Sequence, residues 1–209
     1  TVQSRASSSG IVMGRLAWRI VIDSHLCACY NDTSQSPTGR YATRMDTAHL
    51  SYMDHSATTP VDPRVVAAMA PYWSDIFGNS ESSHSFGRAA AAALEQARQT
   101  VADVLGCRSS EIIFTGSGTE ANNLALRGAA WAARAAGRGN HIVTAQIEHH
   151  AVGRTVEQLR DLHGFAVTLL PVDETGRIAP DDVEAAIRPD TILVSIAMAN
   201  NEIGTVQPM

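Results

Sequence analysis

Short apolar segments alternate with helical segments through most of this chain, and this alternation constrains the fold more than any other feature of the sequence. Apolar runs of strand length predict strands over 111–115, 141–147, 166–172 and 191–199. The segments around them predict helices over 63–72, 88–105, 119–136, 151–163 and 180–187. Because strands and helices that alternate form βαβ units, we predict an α/β fold with a mainly parallel, buried sheet.

Several predicted helix boundaries coincide with residues that begin or end helices. Asp62 followed by Pro63 is typical of an N-cap and a first helical position. Glycines that favour the left-handed C-cap conformation follow predicted helices at Gly106, Gly137 and Gly164. These residues support the predicted order of elements.

The composition is that of a soluble globular protein, with room for one core and an appendage. Hydrophobic residues make up 44% and charged residues 18%, and the net charge of −5 gives no reason to expect nucleic acid or an anionic membrane as a partner. No apolar run is long enough to cross a membrane as a helix. Residues 1–44 are rich in arginine and poor in acids, whereas the remainder is acidic, which indicates a boundary near Met45.

This boundary separates an amino-terminal extension from the rest of the chain. Residues 1–44 form an extension without an assigned role, compatible with a transit peptide or with translated sequence upstream of a start at Met45.

The cysteines favour a reducing compartment. Cys27 and Cys29 are too close in sequence for the usual zinc-ligand spacing, and no matching Cys/His set follows, so we expect no metal site. Cys107 is the other thiol, and so few thiols in a chain of this size do not predict a disulfide framework. We therefore expect a cytoplasmic protein, or a mitochondrial one if residues 1–44 are a transit peptide.

The loops after the predicted strands are the candidate binding site, because ligands in open parallel sheets bind beside the carboxyl ends of strands. Residues 116–120, Gly-Ser-Gly-Thr-Glu, join a strand to a helix, where glycine lets amides approach a ligand and the helix N-terminus favours an anion. Ser117 and Thr119 add hydroxyl donors, so the loop can hold one phosphate. It matches neither the dinucleotide nor the Walker fingerprint, and an ordinary capped turn explains the isolated loop equally well.

The other two loops carry residues that can bind a flat ring. Glu148, His149 and His150 follow the second strand, where an imidazole can stack on a ring, although adjacent histidines on a helix do not predict a metal clamp. Asn200 and Asn201 follow the last strand, where an amide can bond to a ring hydroxyl or a substrate carboxylate. Alone, each loop is better explained as a polar helix start or an asparagine turn. Together, the three loops indicate a phosphorylated aromatic cofactor such as pyridoxal 5'-phosphate (PLP).

Five longer sequence blocks also indicate a protein that binds PLP. They are 52–65 (YMDHSATTPVDPRV), 78–90 (GNSESSHSFGRAA), 111–128 (EIIFTGSGTEANNLALRG), 147–152 (IEHHAV) and 191–207 (TILVSIAMANNEIGTVQ). In this order they resemble the amino-terminal part of the cysteine desulfurases, in the class V aminotransferase group of PLP-dependent enzymes. The resemblance implies the aspartate aminotransferase-like PLP-transferase fold and a homodimer. It also implies an amino-terminal arm over 45–61 and an incomplete PLP-binding large domain over 62–209.

The resemblance also implies residue roles. Gly118 and Thr119 would bind the cofactor phosphate, and His149 would stack on the pyridine ring. Asn201 would lie beside the cofactor and contact the substrate cysteine. His84 resembles a position near the site that the two subunits of the family share. The implied reaction converts L-cysteine to L-alanine and passes persulfide sulfur to acceptor or scaffold proteins for iron–sulfur clusters or tRNA thiolation.

The sequence departs from this pattern in one decisive respect. All sixteen basic side chains are arginine, so the lysine that holds PLP covalently is absent, as is a cysteine in the position that forms the persulfide. Cys107 is interpreted as structural. We therefore predict no catalytic residue in this chain and no activity from the chain alone. A selenocysteine lyase or another class V enzyme, and a non-catalytic truncated or split-gene product, remain the alternatives.

A smaller departure lies in the phosphate loop. The chain has Thr115-Gly116-Ser117 where the desulfurases commonly have Thr-Ser-Gly. This exchange places a Cβ where the backbone of the family usually bends tightly, and it is expected to loosen the local geometry.

Overall fold

The computed structural model describes residues 9–12 and 51–208, and it divides the chain into two compact units. The first unit contains residues 9–12, 54–57 and 115–208 of the described chain. The second contains residues 51–53 and 58–114. Most of the extension over 1–44, including Cys27 and Cys29, lies outside the described residues, and the division at 44/45 and 61/62 stays a prediction.

The first unit is an α/β structure built on one sheet. Its strands are β1 (Ser9–Val12), β2 (His141–Ala145), β3 (Ala166–Leu170) and β4 (Thr191–Ala197). Its helices are α4 (Gly118–Ala135), α5 (His150–His163) and α6 (Pro180–Ala186), counted along the whole chain. These helices and β2, β3 and β4 confirm the predicted elements to within two residues at each end, whereas β1 was not predicted.

The sheet has the strand order β1-β4-β2-β3. β2 pairs in parallel with both β3 and β4, and β1 pairs antiparallel with the outer edge of β4. The mainly parallel sheet is therefore confirmed. Since the parallel strands run in one direction, the segments that follow β2, β3 and β4 leave the sheet at the same edge.

Both faces of this sheet are covered, which explains the near-continuous apolar runs of its strands. On one face, Leu126 of α4 and Val156 of α5 pack against Ile142 of β2. On the other face, Val143 of β2 packs in a second cluster that includes Val183 of α6. All residues of β2 are buried, and β2 is therefore the centre of the core.

The second unit is helical, and it corrects three predictions. It contains α1 (Pro63–Met69), α2 (Pro71–Ser74), α3 (Ser85–Leu105) and a 3-10 turn (Ser109–Glu111). The single helix predicted over 63–72 is wrong because Pro71 lacks an amide hydrogen and ends the first helix. The predicted cap is confirmed: Asp62 Oδ1 accepts a hydrogen bond from the Arg64 amide at 2.8 Å.

The strand predicted over 111–115 is also wrong. Glu111 belongs to the 3-10 turn, and Ile113 and Phe114 are exposed in irregular backbone. A strand needs a neighbour to satisfy its amide and carbonyl groups, and the described part of this unit contains no other strand. Apolar composition alone therefore predicted one strand too many in this part of the chain.

The start of α3 was predicted three residues too late. The structure begins α3 at Ser85, with His84 as its N-cap, because His84 Nδ1 accepts a hydrogen bond from the Gly87 amide at 3.3 Å. Histidine is not among the usual capping residues, so the sequence pattern did not reveal it. Within the described residues, no helix is long and apolar enough to cross a membrane.

A fully buried histidine lies at the amino end of β2. One ring nitrogen of His141 is 2.7 Å from the Thr191 hydroxyl, and the other is 2.9 Å from the Thr168 hydroxyl. Burial lowers the pKa of His141, the positive charge of Arg188 lowers it further, and Asp190 opposes the shift. The ring is therefore a neutral link between three strands.

We predict that His141 makes stability depend on pH. Because the unfolded chain takes up a proton that the buried ring resists, the free energy of unfolding should fall as pH decreases below about 6.5. Urea unfolding at several values between about pH 5 and pH 8 measures this slope.

A non-titrating variant isolates the contribution of this ring. His141→Gln should flatten the slope below about pH 6.5 while lowering stability at higher pH by about 1–3 kcal/mol, because threonine hydroxyls lose a partner. His150→Gln is the matched control, since His150 is exposed. Equal flattening in both variants would contradict the prediction.

Candidate functional site

The loop predicted to hold phosphate forms the N-terminus of α4. Ser117 is the N-cap of this helix, and its Oγ accepts a hydrogen bond from the Glu120 amide at 3.1 Å. The Glu120 carboxylate accepts a hydrogen bond from the Gly116 amide at 2.8 Å. The simpler interpretation of this loop, a capped turn, is therefore a correct description of its hydrogen bonds.

The capped turn still leaves donors for an anion. Within the described chain, the amides of Gly118 and Thr119 donate to no acceptor. Both amides lie in the first turn of α4, where the helix dipole favours negative charge. Thr119 is exposed and adds a hydroxyl. These unpaired donors fit a phosphate group without disturbing the bonds that Ser117 and Glu120 make.

The exchange of glycine for serine in this loop causes no backbone strain. Ser117 has φ −165° and ψ 161°, an extended conformation that any residue adopts. A Cβ added to Gly116 would meet only the flexible carboxylate of Glu120, at 3.3 Å. The expected loosening at this position therefore has no basis in the backbone geometry.

The histidine pair begins α5 directly after β2. His149 is the N-cap of α5, and its Nδ1 accepts a hydrogen bond from the Ala151 amide at 3.0 Å. The two rings of His149 and His150 meet edge to face, with centroids 6.2 Å apart. His149 is exposed, so the cap fixes the orientation of a ring that remains accessible.

One cavity of about 510 Å³ brings two of the predicted site residues together, Thr119 and His149. The remaining lining residues are Asn123, Arg127, His150, Ala151, Arg154, Thr155 and Gln158. No carboxylate is among these lining residues, and their formal charge is positive. The cavity therefore suits an anionic ligand.

Asn123 holds the two walls of the cavity together. Its side-chain amide donates to the Thr119 carbonyl at 2.9 Å, and its oxygen accepts from the Thr155 hydroxyl of α5 at 2.9 Å. Arg127 also donates to this oxygen and to the Gln158 side chain. The sequence reasoning missed this residue, although Asn123 follows Thr119 by one helical turn and so shares its face.

Asn201 does not line this cavity. It is exposed in the loop after β4, and its amide lies 3.4 Å from the Glu202 carboxylate. The turn itself is made by Asn200, whose side-chain oxygen accepts from the amides of Glu202 and Ile203. The structure therefore brings Asn201 to the same edge of the sheet as His149, without placing it among the cavity-lining residues.

Glu148 is a second residue that the sequence reasoning did not assign. Its carboxylate is half-buried and accepts a hydrogen bond from the Ala197 amide at 2.6 Å. Burial raises the pKa of Glu148 to about 7, although the bond from Ala197 favours the charged form. The signal in the sequence was an acid placed directly between an apolar strand and the histidine pair.

A known family matches most of the chain. The family described as Aminotransferase class-V matches residues 51–209. A relative from Dictyoglomus turgidum, named cysteine desulfurase IscS, is 49% identical over 158 residues. The match covers 76% of this chain and 39% of the relative, so the chain spans well under half the length of that protein.

Solved structures agree with this match. A protein described as NifS-like has a TM-score of 0.71 and 42% identity, over 75% of this chain and 42% of that one. A structure described as SspA in complex with cysteine has a TM-score of 0.69 and 43% identity, over 75% of this chain and 44% of that one. The described α/β unit is thus a portion of a fold that these proteins share.

The raised pKa of Glu148 predicts a second pH effect of opposite sign to that of His141. Between about pH 4.5 and 7 the folded chain keeps a proton that the unfolded chain releases. The contribution of Glu148 to stability should therefore fall by up to about 3 kcal/mol as pH rises through this window, and stay constant above it. A carboxyl titration by NMR should place its midpoint near 7.

Glu148→Gln tests this directly, because glutamine keeps an acceptor oxygen and cannot ionise. Relative to this variant, the wild-type chain should lose stability between about pH 4.5 and 7. Glu174→Gln changes an exposed carboxylate of the same unit and should leave the wild-type profile intact. A midpoint near 4.5 for Glu148 would show that burial does not govern this carboxyl.

Proposed function

Because this chain belongs to the class-V aminotransferase family, we propose that it is the amino-terminal part of a PLP-dependent cysteine desulfurase. The observation that carries the proposal is that Thr119 and His149 line one cavity. These are the residues that the resemblance assigns to the cofactor phosphate and ring. The names of the relatives support the substrate, since they include a cysteine desulfurase and a cysteine complex.

The phosphate of PLP would lie at the N-terminus of α4. The unpaired amides of Gly118 and Thr119 and the Thr119 hydroxyl would donate to its oxygens. The absence of a carboxylate from the cavity lining favours a doubly charged phosphate there. The ring would lie against His149, whose orientation is fixed by its bond to the Ala151 amide.

Asn201, in the loop after β4, would contact the cofactor ring and the substrate. Its exposed amide can donate to a ring oxygen or to the carboxylate of L-cysteine. When bound, PLP supplies an electron sink for bond cleavage next to the substrate amino group. The residues of this chain would bind and orient; the sulfur-accepting cysteine and the covalent lysine would come from elsewhere.

The reaction of the whole enzyme would convert L-cysteine to L-alanine. A cysteine thiolate outside this sequence would attack the substrate sulfur. As the sulfur–sulfur bond of the persulfide forms, the carbon–sulfur bond would break, and the carbon that keeps its electron pair would take up a proton to give alanine. The sulfur would pass to an acceptor or scaffold protein, for iron–sulfur clusters or tRNA thiolation. A homodimer and a cytoplasmic or mitochondrial compartment belong to the same proposal.

A non-catalytic role is the second candidate, and the absence of lysine from the sequence favours it. In that case the chain would bind PLP without holding it covalently. The two candidates differ in whether another chain or segment supplies the lysine. They share the proposed PLP-binding cavity and differ in whether the bound PLP takes part in a reaction.

We predict that the 209-residue chain binds PLP reversibly. Thr119→Ala should weaken both PLP and inorganic phosphate by about tenfold to a hundredfold, because it removes a hydrogen bond to a charged group. His149→Ala should weaken PLP and leave phosphate unchanged. Calorimetric titration measures both ligands, and Thr100→Ala, an exposed hydroxyl on α3, is the control.

We also predict that this chain alone releases no alanine from L-cysteine beyond the rate of free PLP. The reason is that PLP cannot be held by a lysine that the sequence lacks. Alanine is quantified after incubation with PLP and L-cysteine, with PLP alone as the blank. Alanine formation above that blank would refute the requirement for lysine.

A further inference from the structure

The loop that carries His149 is tied to the end of the neighbouring strand by the residue just before it. Glu148 Oε1 accepts a hydrogen bond from the Ala197 amide, at 2.6 Å, although the two residues are 49 positions apart. Ala197 is the last residue of β4. The carboxylate therefore reaches from the end of β2 to the end of β4.

The loop that carries Asn201 is tied back in the same way. Asn200 Nδ2 donates to the Ile147 carbonyl at 2.9 Å, across 53 positions. Its oxygen accepts from the amides of Glu202 and Ile203, so this side chain also shapes the turn that holds Asn201. Each proposed ring-contacting residue is thus preceded by a neighbour that bonds across to the other segment, Glu148 to the end of β4 and Asn200 to the backbone after β2.

These two bonds continue the sheet beyond its backbone ladder. The parallel register between β2 and β4 ends with Thr144 opposite Ser195. Beyond that pair, β2 continues to Ala145 and β4 to Ala197 without a recorded pairing between them, so backbone pairing no longer fixes their spacing. The Glu148 and Asn200 side chains supply the connection there, so we call this pair the crossing clamp.

We propose that the crossing clamp positions His149 and Asn201 for the ring of the cofactor and is not required for phosphate binding. This inference rests on the proposed function, because it takes PLP as the ligand. The phosphate donors Gly118 and Thr119 lie on α4, which neither clamp bond touches. Glu148 and Asn200 act through their neighbours and are positioning residues.

A purely structural role predicts a different outcome. Loss of a stabilising bond lowers the free energy of unfolding and reduces the binding of every ligand in the same proportion as the folded fraction. A positioning role changes the ring contacts alone. The ratio of the PLP dissociation constant to the inorganic phosphate dissociation constant separates the two.

Three variants test the clamp. Asn200→Asp changes the side-chain volume little, and Glu148→Ala is paired with Glu148→Gln as its rescue. Asn200→Asp keeps the oxygen that accepts from Glu202 and Ile203 but cannot donate to the Ile147 carbonyl. Glu148→Ala removes the other bond, and Glu148→Gln restores an acceptor at the same place. Titrations of the full chain with PLP and with inorganic phosphate, at about pH 8, give the two constants.

The expected result is a split between the ligands. Asn200→Asp and Glu148→Ala should weaken PLP by about tenfold and change phosphate by less than about twofold, while Glu148→Gln should stay within about threefold of wild type for both. Without any ligand, amide hydrogen exchange at Ala197 should accelerate in Glu148→Ala and return toward wild type in Glu148→Gln.

Two outcomes would overturn the inference alone, and a third would overturn both the inference and the proposed function. Parallel weakening of both ligands that follows the free energy of unfolding would leave the clamp a structural feature. Unchanged PLP binding in Asn200→Asp and Glu148→Ala would do the same. A wild-type chain that binds phosphate but not PLP would instead refute the proposed function, and the inference with it.

Discussion

The burial of β2 between two parallel neighbours is the constraint on which the rest of the described α/β unit depends. All its residues are buried, β3 and β4 pair with its two edges, and helices cover both faces. A strand in this position can satisfy its amides only through those two ladders. Because both ladders are parallel, the segments after β2 and β4, which carry His149 and Asn201, leave the sheet at one edge.

The same constraint sets the direction of the helices. α4 ends shortly before β2 begins, and α5 begins shortly after β2 ends, so the N-termini of both helices lie at the carboxyl edge of the strands. Two helix N-termini facing one cavity concentrate positive potential where no carboxylate lines the wall. Asn123 then fixes the spacing of the helices by bonding to both.

Most of the fold was predictable because buried strands and capped helices leave local signals. The parallel strands and α4, α5 and α6 follow from apolar runs and from the glycines after α4 and α5. The helix break at Pro71 was a local signal that was missed, whereas the other failures concern partners that no local pattern reveals. The apolar segment 111–115 has strand composition but no strand beside it within its unit, and β1 is recognisable only from its pairing with β4. His84 and His149 cap helices with a ring nitrogen, which residue preferences do not anticipate.

The site shows the same limit in another form. Thr119 and His149 could be named as candidates because each lies where a predicted helix begins, whereas Glu148 and Asn123 act through bonds to residues that are distant in the sequence. The two interpretations of residues 116–120, a capped turn and a phosphate-binding loop, are also compatible with each other. Ser117 and Glu120 satisfy one set of amides, and this leaves the amides of Gly118 and Thr119 oriented but unpaired. A capped turn is therefore compatible with the proposed anion site, since the cap holds the free donors in place.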